Sequence, residues 1–530
     1  MTPLSRGKHF YTALLGCTIS LSCVIAAPAQ SPGQILRQRL GIIPPDATQP
    51  APDNPNGWNS LPINTTSGCH FVYIGHSDRK QFMVVDGQPG PEFDQIQPND
   101  RWYSPDGTRV TYTARSGDKW FVMMDGQPGP PCLALGIWPV NFTPDGKHYC
   151  YPAQAGTGKW IVIVDGKQAA ESLFPIEQAF ISPNARRLAY ITSKRGSDGA
   201  YHPLFIVDGQ EGIEPAGMHG GNALYDKHFV FSSNGSNFAY PATINNDDVL
   251  VINGGIHDLA EPGSTCFSPD GNRYAFVGWD PVNGRRGEQT FVNLDGRPQP
   301  TYGNTEEIFF SPDSARLAYS VRKGGKSIIV MDGRPGTEFD WVGPVYFSPD
   351  SKRFAYEAES GKNQCPVIDN QVGRKYDEVN CFVFSPDSRR VAYLAKEDGS
   401  WMVVTDHQAG PRFDDIKAGP TFTSDSRHIL YAGRKFDKWH MVFDDQVGPE
   451  FDDIWFSSLN CSPLSPDGKH WAYGARTGRK WVIMVDGRQA AECNELVSGP
   501  IFRSDGMMEY LAELKDSDQS ILYRVTESFR

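Results

Sequence analysis

The sequence predicts an all-β fold, a β-propeller built from about twelve four-stranded antiparallel blades. Three observations carry this. A unit of about forty residues, the size of one propeller blade, recurs along the chain. Inside each unit apolar and polar residues alternate with period two, the signature of strands with one face buried. Turn signals separate the runs: Ser-Pro-Asp or a relative at Asp106, Asp145, Asn184 and onward to Asp505, and Asp-Gly or a relative at Asp86, Asp125, Asp165 and onward to Asp486.

Within a unit, an aromatic ring stands six residues after the first marker, as at Tyr319, Tyr356 and Tyr393, and Ala precedes it. Apolar, small, aromatic is a strand with a ring on one face and a close neighbour on the other. The next run, such as "KWIVIVDG", is rich in Val and Ile and ends on a tight hairpin signal. "GPEFDQI" is expected as a third short strand and "PVYFSPD" as a fourth, closed by a turn in which Pro sets φ. One such sheet cannot bury both faces alone, whereas radial stacking does so. Twelve blades exceed the usual single ring, so two six-bladed propellers in tandem are expected, over residues 61–300 and 301–530, with a junction near "RPQPTYGNTEE" (297–307).

Ahead of the array, Arg6, Lys8 and His9 precede an apolar run from Phe10 to Ala27, and Ala27-Pro28-Ala29 fits a cleavage site. Residues 1–29 therefore read as a secretory signal peptide and 30–60 as a Pro-rich linker. The expected location is extracytoplasmic, periplasmic or secreted, with no membrane insertion after signal cleavage. The net charge of −12, from 62 acidic and 50 basic residues, argues against a nucleic-acid partner, which needs clustered Lys and Arg. Eight cysteines follow the leader, and the chain has no C-x-x-C pair of the kind that zinc or thiol-redox sites use. Buried free thiols are expected, and no metal and no cofactor.

The phrase "FSPDG-x-R-x-AY", seen at 103–112, 267–276, 347–356 and 464–473, resembles the WD-like propeller repeat of TolB-like periplasmic proteins. The same repeat builds propellers attached to prolyl-oligopeptidase-type hydrolases. The resemblance spans nearly the whole chain after the leader and implies the propeller fold. It departs from that family in its second phrase, "VDG-x-PGPEFD-x-I". A fused serine hydrolase would need a Gly-x-Ser-x-Gly elbow, and the sequence has none.

Carboxylate pairs at Asp414-Asp415, Asp452-Asp453 and Glu92 to Asp94 are the obvious candidates for glycosidase-like chemistry. They recur blade after blade, however, and an active site should break the symmetry. They read as solvated strand ends. The Ser-Pro-Asp carboxylates read as turns bonding their own backbone. Trp120, Trp160, Trp401, Trp439 and Trp481, at the start of the Val-rich strand, read as packing between blades. The expected function is a non-catalytic binding scaffold for a protein partner in the cell envelope, acting through loops on the propeller faces. Trp279, Arg285 and Arg286 in the irregular turn 279–288 are its candidate ligand contacts. The alternative is a propeller enzyme or lectin acting on polysaccharide.

Overall fold

Successive strands pair with their neighbours in sequence, giving twelve four-stranded antiparallel sheets, two of which carry a short extra strand, in a computed structural model of the chain. It describes residues 35–42, 50–51, 54–58, 60–65, 68–77, 79–97, 103–136, 140–196, 199, 201–213, 229–244, 247–258, 265–279, 290–300, 302–455, 463–516 and 519–528. The described residues contain no helix. Blade nine is representative: Glu378–Phe384, Val391–Glu397, Ser400–Thr405 and the two-residue Gln408–Ala409. Its first strand touches the first strands of blades eight and ten, Tyr346–Phe347 and Asp415–Phe422, as inner strands crowded around an axis do. Its fourth strand is exposed at the rim.

One expected strand is divided. "GPEFDQI" does not form a single third strand. Its predecessor pair, Gln408–Ala409 in blade nine, ends at the rim, and the Phe-Asp step crosses inward to open the first strand of the next blade. The crossing is held by a buried ring in blade after blade: Phe93, Phe339, Tyr376, Phe413 and Phe451. The Asp-Gly hairpins behave as the sequence requires. Asp332 and Gly333 take φ of 51° and 77°, the paired positive values of a two-residue type I′ loop.

The aromatic ring and the alanine before it lie on opposite faces of the second strand. Ala355 of blade eight packs with Tyr393 of blade nine, and Ala392 of blade nine packs with Tyr431 of blade ten. Each ring thus seats on the alanine of the preceding blade, which explains the small residue at that position. The hydroxyls differ. Tyr319 Oη donates to Pro300 O at 3.0 Å, whereas Tyr356 and Tyr431 Oη are buried without a hydrogen-bond partner. Replacing Tyr319 by Phe is expected to cost about 1 kcal/mol in urea unfolding, and Tyr356→Phe to be neutral or stabilising.

Such apolar clusters fill every interface in turn, including that of blade six with blade seven, where Ala275 and Val292 meet Leu317 and Tyr319. Blade twelve, Glu495–Phe502, Met507–Asp516 and Gln519–Ser528, packs on blade one through Ile501, Leu511, Leu522, Cys69 and Phe71. The twelve blades therefore form one ring, not two six-bladed rings divided at 300/301. The irregular stretch 297–307 is not a junction. It anchors blade seven, with Tyr302 Oη donating to Gly333 O at 2.9 Å and a bulge between Thr305 and Ile308.

Ring closure corrects the linker expectation too. Residues Ile35–Ile42 form a strand paired antiparallel to Gln519–Ser528, with Arg37 opposite Val525. It supplies the fourth strand of blade twelve. Leu40 enters the core, and its carbonyl lies so close to Gly87 that a Cβ there would sit 2.1 Å from the oxygen.

Candidate functional site

The repeated polar residues are spent on joining blades. In blade seven, the Ser311 hydroxyl donates to Asp313 Oδ1, which also accepts the Ala315 backbone N–H. That is the self-bonded turn the sequence suggested. The turn has a second role that local pattern does not show. The Asp313 N–H donates to Ser351 Oγ of blade eight at 2.9 Å. Arg316 then reaches three ways: Nε to Asp332 Oδ2 at 2.9 Å within its own blade, and Nη1 to Ser351 O and Lys352 O of the next. Arg273, Arg353 and Arg390 repeat the arrangement. His148, His428 and His470 stand in for the arginine against Asp165, Asp444 and Asp486, so these scattered histidines are framework groups.

The candidate carboxylates after the buried Phe form a second set of ties. Asp94 accepts from Lys80 Nζ of its own blade and from the Gly117 N–H in a hairpin of blade two, both at 2.6 Å. Asp452 does the same between Lys438 and Gly478 N–H, and Asp414 accepts from the Phe436 N–H. These groups are committed to hydrogen bonds and are not merely solvated. Asp415 and Asp453 pair with Arg434 and Lys417.

The Ser-Pro-Asp ties give the ring an acid limit. The Ser268 hydroxyl and the Asn272 N–H hold Asp270 down to about 2, and its counterparts, Asp313, Asp350, Asp387 and Asp425, are lowered for the same reasons. Because the folded values lie below the unfolded ones, their stabilisation is complete above about pH 4 and is lost as pH falls towards 2. The urea midpoint should fall steeply over that window and vary little through these groups above it.

The tryptophans pack as expected. Trp481 is buried, and Trp120, Trp401 and Trp439 are half-buried with Arg115, Lys396 and Lys417 over their rings. Of the candidate contacts, the backbone of Trp279 ends a strand opposite Thr290. Its side chain, and Arg285 and Arg286, lie outside the described residues. No group of three or more His, Cys, Asp or Glu side chains placed to hold a metal occurs among the described residues.

One place breaks the symmetry. The residue after the conserved ring is Thr113, Pro152, Ile191, Pro241, Val277, Ser320, Leu394, Ala432 or Gly474 in other blades, and Glu357 in blade eight. Glu357 is only 8% exposed, and its Oε2 has no hydrogen-bond partner. The inner strand gives it room by lacking a side chain: a Cβ at Gly343 would stand 2.4 Å from Glu357 Oε1. Burial, reinforced by the charge of Glu307, pushes its carboxyl up to about 7.

Three further unlike groups stand around it on inner strands. Tyr346 belongs to the same blade, and its hydroxyl is raised by burial and then by the charges of Glu357, Cys381 and Glu307. Glu307 sits in the bulge of blade seven. Cys381 sits in a bulge of blade nine with φ of 55°, beside Asn380, whose Oδ1 is buried and unpartnered. This cluster escaped the sequence reading, although the aligned column after the ring carries its one carboxylate in plain view. The described cysteines form no disulfide, and of them Cys381 alone is exposed.

No family model matches the chain, and no curated protein sequence matches it. Solved structures do. A eukaryotic initiation factor structure is 12% identical over 73% of this chain and 95% of that one, with a TM-score of 0.34. TolB from Acinetobacter baumannii is 15% identical over 54% of this chain and 78% of its own, with a TM-score of 0.22. The tricorn protease is 12% identical over 85% of this chain and 61% of that one, with a TM-score of 0.25. TolB, whose repeat the Ser-Pro-Asp phrase resembles, is thus among the structures this propeller is similar to.

Proposed function

We propose that the chain is an exported, non-catalytic scaffold that binds a protein partner of the cell envelope through loops on its propeller faces. One observation supports this reading above others: the repeated turns, arginines and carboxylates hydrogen-bond to backbone groups and Ser hydroxyls of the next blade. The framework is thereby fixed, while turns such as 192–202 and 279–288 differ from blade to blade. The N-terminal pattern supports export, and no helix among the described residues is long and apolar enough to cross a membrane.

The test is affinity capture from envelope extract with residues 30 to 530 after mild crosslinking, read by mass spectrometry. A single reproducible protein partner, lost when 279–288 is replaced, is the expected result. Recovery of glycan alone would favour the second reading, a propeller enzyme acting on polysaccharide. The observation in favour of that reading is Glu357, a carboxyl held near neutrality as a general acid requires. In that case wild type cleaves the captured glycan and Glu357→Gln does not.

A further inference from the structure

We infer that Glu357, on the second strand of blade eight, forms with Glu307 and Asn380, on the inner strands of blades seven and nine, a site for an organic cation bearing several N–H donors. The argument is one of unmet demand. Glu357 Oε2 and Asn380 Oδ1 are buried acceptors with no donor. Among the described residues neither Glu307 nor Glu357 pairs with Lys, Arg or His, whereas Glu306 next door has Arg322. A buried acceptor without a donor is costly, and although Glu177 Oε2 and Glu527 Oε2 are unpartnered too, only here among the described residues do such acceptors stand on adjacent blades beside a second carboxylate whose charge acts on the first.

The geometry selects the ligand class. A metal ion needs three or more ligands converging on one point, and the described His, Cys, Asp and Glu residues offer no such group. Acceptors spread over three neighbouring blades instead suit a group that presents separate N–H donors, an alkylammonium chain or a guanidinium. The net charge of −12 draws such ligands in. The rest of the surroundings is compatible: Tyr346 and Cys381 face Glu357, and neither brings a competing positive charge. Free polyamine and a Lys- or Arg-bearing peptide share this chemistry. The site does not depend on the face loops that the scaffold reading uses.

Binding should be measured by calorimetry on the mature chain at 150 mM salt, with spermidine as one probe and a short Arg/Lys peptide as the other. One saturable site at pH 8 is expected, weakened at least tenfold in Glu357→Gln. It should also weaken at pH 5.5, because protonating the carboxyl removes the charge that the cation needs. Saturation by spermidine assigns a free polyamine, and saturation by the peptide alone assigns a basic segment. Absence of saturation by both, or equal affinity in Glu357→Gln, overturns the inference. Should that variant fail to fold, spermidine protection of Cys381 from a maleimide in wild type decides: protection supports the site, and unchanged labelling overturns it. Partner capture through 279–288 should survive Glu357→Gln, so failure of one reading leaves the other visible.

Discussion

Replacing Glu509 by Ala should destabilise the ring more than any exposed charge substitution, by about 3–5 kcal/mol, the usual result of stripping one partner from a buried ionic group. Glu509 lies on the second strand of blade twelve, 2% exposed. Its Oε1 accepts the Cys69 N–H of blade one at 2.7 Å, and its carboxylate faces Arg503 and Arg524. Arg524 continues the network into blade one, donating to Cys69 O and pairing with Asp86 at 2.7 Å. The variant takes the shared buried carboxylate from both guanidiniums, leaving Arg503 with Asp505 and Arg524 with Asp86 and Cys69 O, at the closure where blade one has no described Ser-Pro-Asp tie to share the load. Urea unfolding should show the loss. The exposed pair Lys194–Glu211 is the control, and its removal should change stability by about 1 kcal/mol or less. Equal effects for the two would mean that the closure network carries no weight.

Removing one conserved ring should have a comparable effect. Tyr393→Ala empties a site 2% exposed between Ala355 of blade eight and the sheet of blade nine, where Tyr376 and Phe382 lean on the same ring. Large-to-small changes of this kind cost about 3–5 kcal/mol, transfer and cavity together. Tyr431→Phe, which keeps the ring and removes a hydroxyl with no partner, should leave stability unchanged. If Tyr393→Ala were as mild as Tyr431→Phe, the rings would not be the wedges that set blade spacing.

Much of this was legible because repetition amplifies a weak local signal. Period-two runs, Asp-Gly turns and the Ala-aromatic pair identify blades, since each records a local demand: alternate burial, positive φ, or close approach. What a residue bonds in the next blade is not local. Arg316 looks like a solvent-facing residue of its own strand, and only stacking brings Ser351 and Lys352 to it. The closing strand was hidden for a similar reason. Its partner, Gln519–Ser528, lies at the other end of the chain, and its own neighbours are Pro-rich. The single ring also escaped the repeat count, because twelve blades suggest two conventional rings until the interface between blades six and seven is seen to be filled like the others. Glu357 was obscured by attention to carboxylates that recur, when the informative one occurs once.

The measurement that tests the ring most directly is a set of electron-microscopy class averages of the purified chain viewed down the propeller axis. A single annulus of twelve spokes is expected, opening when residues 35–42 are deleted. Two adjoining six-spoked discs, or a closed annulus that survives the deletion, would contradict closure of blade twelve on blade one.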